Sequence, residues 1–137
     1  MTVTVIIATK NEEQNLRNCL ESVRWADQVI VVDSGSTDRT REIAEESGAH
    51  FHVFKYEGGW PKKRNWAINS GLAKPPWILI LDADERVSPS LRDEIQAAIN
   101  TAHFDGYYIK WKFIFLGKWM KHSWSHGWMM RLFRNGK

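Results

Sequence analysis

The strongest chemical signal in this chain is Asp82 and Asp84, within the run Trp77-Ile-Leu-Ile-Leu-Asp-Ala-Asp-Glu85. Two carboxylates one residue apart, directly after a short apolar stretch, can converge on a hard divalent cation. Mg²⁺ or Mn²⁺ typically takes one or two carboxylates and fills its shell with phosphate oxygens and water. The same residues can instead cap the following turn, as Asp often does. A second group is Asp33-Ser-Gly-Ser-Thr-Asp38. There Gly35 permits a turn, and Ser36 or Thr37 can cap a helix beginning near Asp38. Asp33 is not accounted for in this way, because a carboxylate ending an apolar strand needs a polar partner, which a ribose or base edge would supply. Thr9-Lys-Asn-Glu12 is a third polar group. Lys62-Lys-Arg-Asn65 adds a basic run that suits phosphates or, equally, a solvated helix face.

These groups need a frame that gathers them. Thr2–Ala8 reads as a β-branched, apolar strand, and Asn11 is placed to cap a helix whose Leu16, Cys19, Leu20 and Val23 recur at helical spacing. Gln28–Asp33 reads as a second strand, and Asp38–Ser47 as a short helix stopped by Gly48. His50–Phe54 follows as a third strand, and Pro61–Leu72 as a helix ended by Gly71 and Pro75-Pro76. Trp77–Leu81 is the fourth strand. Ser88 as N-cap with Pro89 at the first helical position opens a helix to about Asn100. Alternating strands and helices predict an α/β fold, an open and mostly parallel sheet with helices on both faces. In such a sheet ligands lie at the carboxyl ends of the strands, and the three polar groups follow strands one, two and four. From residue 104 the pattern changes. Tyr107–Leu116 and Trp128–Phe133 read as strands joined by a Trp-, His- and Gly-rich loop, added antiparallel at the sheet edge.

The composition, 43% hydrophobic and 26% charged over 137 residues, excludes a disordered, coiled-coil or collagenous chain and fits one domain spanning 1–137. Its apolar runs fall short of the roughly 20 residues of a membrane helix. The single cysteine, Cys19, allows neither an internal disulfide nor a cysteine-based zinc site. A cytoplasmic protein, or a piece of one, is expected. Residues 1–103 carry twelve Lys/Arg against fifteen Asp/Glu, a net −3, whereas 104–137 carry seven against Asp105 alone, a net +6. Half of the eight tryptophans also fall in that tail, so the two parts of the chain are expected to meet different partners. Gly-x-Gly-x-x-Gly, Gly-x-x-x-x-Gly-Lys-Ser/Thr and Gly-x-Ser-x-Gly are absent, which argues against a dinucleotide dehydrogenase, a P-loop NTPase and an α/β-hydrolase.

Taken together, Thr9-Lys-Asn-Glu-Glu13, Val32-Asp-Ser-Gly-Ser-Thr-Asp-Arg-Thr40, Arg64-Asn-Trp-Ala67 and Trp77-x-Leu-x-Leu-Asp-Ala-Asp-Glu85 resemble family 2 glycosyltransferases of the GT-A fold. Tyr108-x-Ile-x-Trp-Lys, Phe115-Leu-Gly-Lys-Trp-Met-Lys-His122 and Arg131-Leu-Phe-Arg134 resemble the later segment of bacterial members that add a hexose, usually glucose, to the lipopolysaccharide core. The resemblance implies a nucleotide-binding part over 1–103 and the start of an acceptor-side part over 104–137. It implies a metal-dependent, inverting transfer of a hexose from a nucleotide-diphosphate sugar, UDP-sugar favoured, to a saccharide or lipid-linked saccharide. Thr9 and Glu12 would line the nucleotide, Asp33 would accept a hydrogen bond from the base, and Arg64 would approach the nucleotide or its diphosphate. Asp82 would face ribose and metal, and Asp84 would hold the Mn²⁺ or Mg²⁺ bridging the diphosphate. The catalytic base is unassigned. Family members usually continue past Arg-Leu-Phe-Arg and carry an acidic base there, whereas residues 106–137 have no Asp or Glu. Within the chain only His126, His122 and Glu85 are candidates, and a base beyond Lys137 is expected.

Two other readings compete. A sugar-1-phosphate nucleotidyltransferase has a similar sheet but wants a glycine- and basic-rich loop after strand one, which Thr9-Lys-Asn-Glu-Glu13 is not. A catalytically silent module binding nucleotide or membrane is the alternative from another class. The basic, aromatic tail fits added core first, an anionic membrane or acceptor second, and nucleic acid only distantly. Any membrane contact would be peripheral, on the inner face.

Overall fold

The computed structural model describes residues 2–55, 62–101, 103–110, 112, 114–115, 118–119 and 127–137. Four strands, β1 (Val3–Thr9), β2 (Gln28–Asp33), β3 (His50–Val53) and β4 (Trp77–Asp82), alternate with the helices α1 (Leu16–Ser22), α2 (Thr40–Glu46) and α3 (Lys63–Asn69). Helix α4 (Pro89–Thr101) follows, then β5 (Gly106–Lys110), a small hairpin of β6 (Ile114–Phe115) and β7 (Lys118–Trp119), and β8 (Trp128–Arg134). The six-stranded sheet runs β3-β2-β1-β4-β8-β5. Its first four strands are parallel, and β8 lies antiparallel to both β4 and β5. The expected mostly parallel sheet with antiparallel strands near the C-terminus is the fold observed.

Both faces are covered because the parallel strands are apolar on both sides. Val5, Ile7, Val31, Leu79 and Leu81 bury one face under α1, α2 and α4, through Leu16, Cys19, Ile43, Ile95 and Ile99. Ile6, Ile30, Val32, Ile78 and Ile80 bury the other against Ala67 of α3, Ala73 and the rings of Phe54 and Trp66. The chain winds outward from β1 to β3 and then returns to place β4 on the opposite side of β1. The carboxyl ends of β1 and β4 therefore border the topological switch point, where open α/β sheets form their ligand crevice.

Several boundaries differ from the sequence reading. Asn11 does not cap α1. It adopts φ 51°, its N–H donates to Ser36 Oγ at 2.7 Å and its side-chain oxygen accepts from Thr37 N–H at 2.8 Å. The helix starts only at Leu16, after a turn closed by Leu16 N–H on the Glu12 carbonyl. Helix α2 starts at Thr40, and it is Asp38, not Ser36 or Thr37, that accepts Thr40 N–H, at 3.0 Å. Ser88 caps α4 as expected, accepting Leu91 N–H at 3.2 Å. Where a long strand is expected over Tyr107–Leu116, β5 spans Gly106–Lys110, with Lys110 opposite Trp128 of β8. Ile114 and Phe115 pair instead with Trp119 and Lys118. Most of the loop read as Trp-, His- and Gly-rich lies outside the described residues.

Among its described residues the tail is part core and part exposed surface. Leu132 is buried and Tyr107 packs on Trp77, but Trp128 is 64% exposed, and Tyr108, Met129 and Met130 are exposed beside it.

Candidate functional site

The loops after β1 and β2 are joined by a ladder of side-chain hydrogen bonds. Thr9 and Asp33 are register partners at the ends of their strands, and Thr9 Oγ1 donates to Asp33 at 2.7 Å. The same carboxylate accepts Gly35 N–H at 2.8 Å, Ser36 N–H at 2.7 Å and Ser36 Oγ at 2.5 Å. Asp33 is only 2% exposed, so these bonds meet the need that burial creates, and its partner comes from the protein itself. Burial raises its pKa, but the hydrogen bonds from Ser36, Thr9 and Gly35 outweigh burial and hold the carboxyl below its ordinary value. Glu12 N–H donates to Thr40 Oγ1 at 2.9 Å and Glu13 N–H to Asp38 at 3.2 Å, so the two loops present one surface.

The basic run on α3 meets this surface from the other face of the sheet. Lys63 Nζ donates to the Thr9 carbonyl at 2.5 Å and to Ser34 Oγ at 3.0 Å. Burial pushes the Lys63 pKa down, with the Asp33 charge opposing that shift. Lys63 is thus a staple between the two strand ends, a part the basic run did not reveal. Its neighbour Arg64 reaches β4, where its Nη2 contacts Asp82 Oδ1.

Asp82 sits at the centre of a charged cluster. Besides Arg64 it faces Arg131 of β8, whose Nη2 lies 3.7 Å from Asp82 Oδ2 and whose Nη1 lies 3.2 Å from Glu85 Oε1. Arg131 Nη1 also donates to the Ile80 carbonyl at 3.3 Å. Glu85 folds back: its Oε1 accepts Asp82 N–H at 2.6 Å, while its own N–H donates to the Asp82 carbonyl at 3.0 Å. Burial raises the Glu85 pKa, opposed by the Arg131 charge. Burial lowers the Arg64 pKa, and Arg131 adds to that effect. Beneath the turn, burial pushes the Cys19 thiol up to about 12, which removes it as a nucleophile. Asp84 stands exposed on the turn.

The structure therefore brings Thr9, Asp33, Arg64, Asp82 and Asp84 to one edge of the sheet, with Glu12 on the adjoining turn. Glu85 is turned onto Asp82 and Arg131 instead of outward, and His122 and His126 lie outside the described residues. Arg131 belongs to the site although sequence reasoning assigned it no role. Its signal was a lone charge inside the apolar strand Trp128-Met-Met-Arg-Leu-Phe133. Among the described residues no three His, Cys, Asp or Glu side chains gather to form a protein-only metal cage. The residues at this edge that could hold a metal are Asp82 and Asp84, an all-oxygen and incomplete donor set. That suits Mg²⁺ or Mn²⁺ whose shell is completed by phosphate and water.

Comparison with known proteins agrees with this architecture. The family model described as Glycosyl transferase family 2 matches residues 4–136. An uncharacterized glycosyltransferase of Rickettsia bellii is 41% identical over 106 residues, 77% of this chain and 35% of that protein. The lipopolysaccharide core biosynthesis glycosyltransferase LpsC of Rhizobium meliloti is 32% identical over 96 residues, 66% of this chain and 34% of that one. Among solved structures, S. aureus TarS 1-349 in complex with UDP superposes with TM-score 0.67 at 30% identity, covering 83% of this chain and 36% of that chain. Glucosyl-3-phosphoglycerate synthase from Mycobacterium tuberculosis shares the fold, with TM-score 0.60 at 20% identity over 74% of this chain and 40% of that one. The chain spans about a third of the length of the curated relatives it matches.

Proposed function

The chain belongs to glycosyl transferase family 2, and we propose that its carboxyl edge binds a nucleotide-diphosphate sugar, UDP-sugar first, as donor for an inverting hexose transfer. The observation that carries this reading is the convergence of Arg64, Asp82 and Asp84 at the switch point between β1 and β4. The loops Thr9–Glu13 and Asp33–Asp38 form the wall for base and ribose. Asp33 already accepts four hydrogen bonds, the full acceptor capacity of a carboxylate, so it shapes this wall through Gly35 and Ser36. Arg64, partly exposed and cationic, can leave Asp82 for the diphosphate. Asp84, with Asp82, would hold a divalent cation, Mn²⁺ or Mg²⁺, which when bound supplies the charge that stabilises a departing diphosphate. TarS, crystallised with UDP, supports the choice of nucleotide.

The acceptor hydroxyl attacks in line and a base takes its proton. Of the three carboxylates at and after the end of β4, Asp82 and Glu85 are tied to arginines and Asp84 is assigned to the cation, so the base is proposed to lie elsewhere. A saccharide acceptor, lipid-linked as in lipopolysaccharide core synthesis, is supported by the likeness to LpsC. Exposed Trp128, Met129 and Met130, with Lys110 Nζ 6.0 Å from the Trp128 ring, suit such an acceptor or an anionic membrane surface. No helix among the described residues is long and apolar enough to cross a membrane, and a cytoplasmic enzyme docking peripherally fits this surface. Incubation with UDP-hexoses tests the reading. Release of UDP, by hydrolysis or transfer, is expected. Pyrophosphate release from sugar-1-phosphate and nucleoside triphosphate would instead identify a nucleotidyltransferase, and binding without turnover of any donor a silent module.

A further inference from the structure

We propose that Arg131 is a positioning residue for donor binding, acting through Asp82 and Glu85 on the cation-binding turn; the inference rests on the donor-site reading above. Arg131 is 3% exposed, so a ligand in the crevice has little access to its guanidinium. What it touches is the turn: Glu85 Oε1 at 3.2 Å, Asp82 Oδ2 at 3.7 Å and the Ile80 carbonyl at 3.3 Å. A guanidinium presents donors in a rigid fork, so one group can fix two carboxylates and a carbonyl in one geometry. The strand that delivers it, β8, pairs antiparallel with β4 through Leu79 and Leu132, which sets Arg131 under the end of β4.

The division of charge inside the cluster gives Arg131 and Arg64 different jobs. Arg64 is 38% exposed and can exchange Asp82 for a phosphate, whereas Arg131, with its side chain 4% exposed, has no such route. Glu85 lies nearer to Arg131, at 3.2 Å, than Asp82 does, at 3.7 Å, and is the closer counter-charge. Asp82 thereby keeps enough negative charge to meet a cation while its backbone N–H stays fastened to Glu85. The residue acts on the ligand only through its neighbours, as outer-shell partners of metal ligands do.

Calorimetric titration of UDP with and without Mn²⁺ tests the proposal, since the factor by which Mn²⁺ tightens UDP binding reads the turn directly. Simple charge counting says that Arg131→Met, which removes a positive charge, should strengthen Mn²⁺ binding. The positioning role predicts the opposite: the tightening factor falls about tenfold to a hundredfold, the range for loss of an outer-shell partner. UDP affinity without metal changes much less. Arg131→Lys, which keeps the charge but not the fork, should restore the factor in part. Glu85→Gln keeps an acceptor for Asp82 N–H and turns the Arg131 charge onto Asp82, so it too should weaken the coupling. Undiminished coupling in folded Arg131→Met, whatever its melting temperature, overturns the proposal. If Arg131→Met does not fold, Glu85→Gln decides alone, and unchanged coupling there overturns it. A wild-type chain whose UDP binding ignores Mn²⁺ overturns the cation-linked donor reading, and this inference with it.

Discussion

Arg64, in the first turn of α3, and Asp82, the last residue of β4, form an ion pair that closes the carboxyl edge of the sheet across the switch point. The pair joins a helix on one face to the strand end that leads into Asp-x-Asp. Both side chains keep about a third of their surface in water, 38% and 32%, so solvent screens the interaction and a competing phosphate can replace it.

Replacing Arg64 with Ala should therefore cost at most about 1 kcal/mol of stability, the scale of a partly exposed ion pair. Asp82 retains Arg131. UDP affinity should fall about tenfold, more than UMP affinity, because the guanidinium is assigned to the diphosphate. Paired titrations of the two nucleotides check this, and equal losses would place Arg64 elsewhere.

Asp84→Asn should leave the melting temperature of the ligand-free chain almost unchanged, since an exposed loop carboxylate supports little packing. It should abolish the added stabilisation that Mn²⁺ gives in the presence of UDP. A variant that still couples the two ligands would remove Asp84 from the cation.

Asp33→Asn should cost about 2–4 kcal/mol, because an amide offers one acceptor oxygen to donors that now share two, and its NH₂ faces them. The sign of the pH effect follows from a folded-state pKa below the ordinary value. The carboxylate's contribution is fully present above the unfolded pKa, about 3.9, and is lost as pH falls through the lower folded value. Acid unfolding curves should show the wild-type chain losing its advantage over Asp33→Asn below about pH 4. Parallel curves down to about pH 2 would contradict the assignment.

The net +6 of residues 104–137 and the exposed Trp128, Met129 and Met130 should draw the chain to vesicles containing anionic lipid. Binding should weaken as salt rises, since exposed charges are screened within about 8 Å at physiological ionic strength. Flotation with neutral and anionic vesicles measures this, and equal binding to both would exclude electrostatic docking.

The sheet, and the common edge to which its polar clusters run, were legible because long apolar strands followed by polar clusters leave few alternatives. Val3–Thr9, Gln28–Asp33 and Trp77–Asp82 are largely buried on both faces, and Thr9, Asp33 and Asp82 stand at their carboxyl ends. What local pattern could not show was cross-chain pairing. Asn11 reads as a helix cap, yet its side chain answers Thr37, 26 positions away. Lys63 reads as a solvated or phosphate-binding cation, yet half-burial turns it onto the Thr9 carbonyl. Arg131 lies 46 or more positions from its carboxylates, and only the insertion of β8 beside β4 brings it under the turn.

The most direct test of the donor site is the melting temperature of the chain with UDP, GDP, CDP or TDP, each with and without Mn²⁺. A ligand that binds only the native state must raise the transition by mass action. UDP with Mn²⁺ is expected to raise it by several degrees, more than UDP alone and more than the other diphosphates with the metal. No shift with any nucleoside diphosphate, in the presence or absence of Mn²⁺, would contradict a nucleotide-sugar site at this edge.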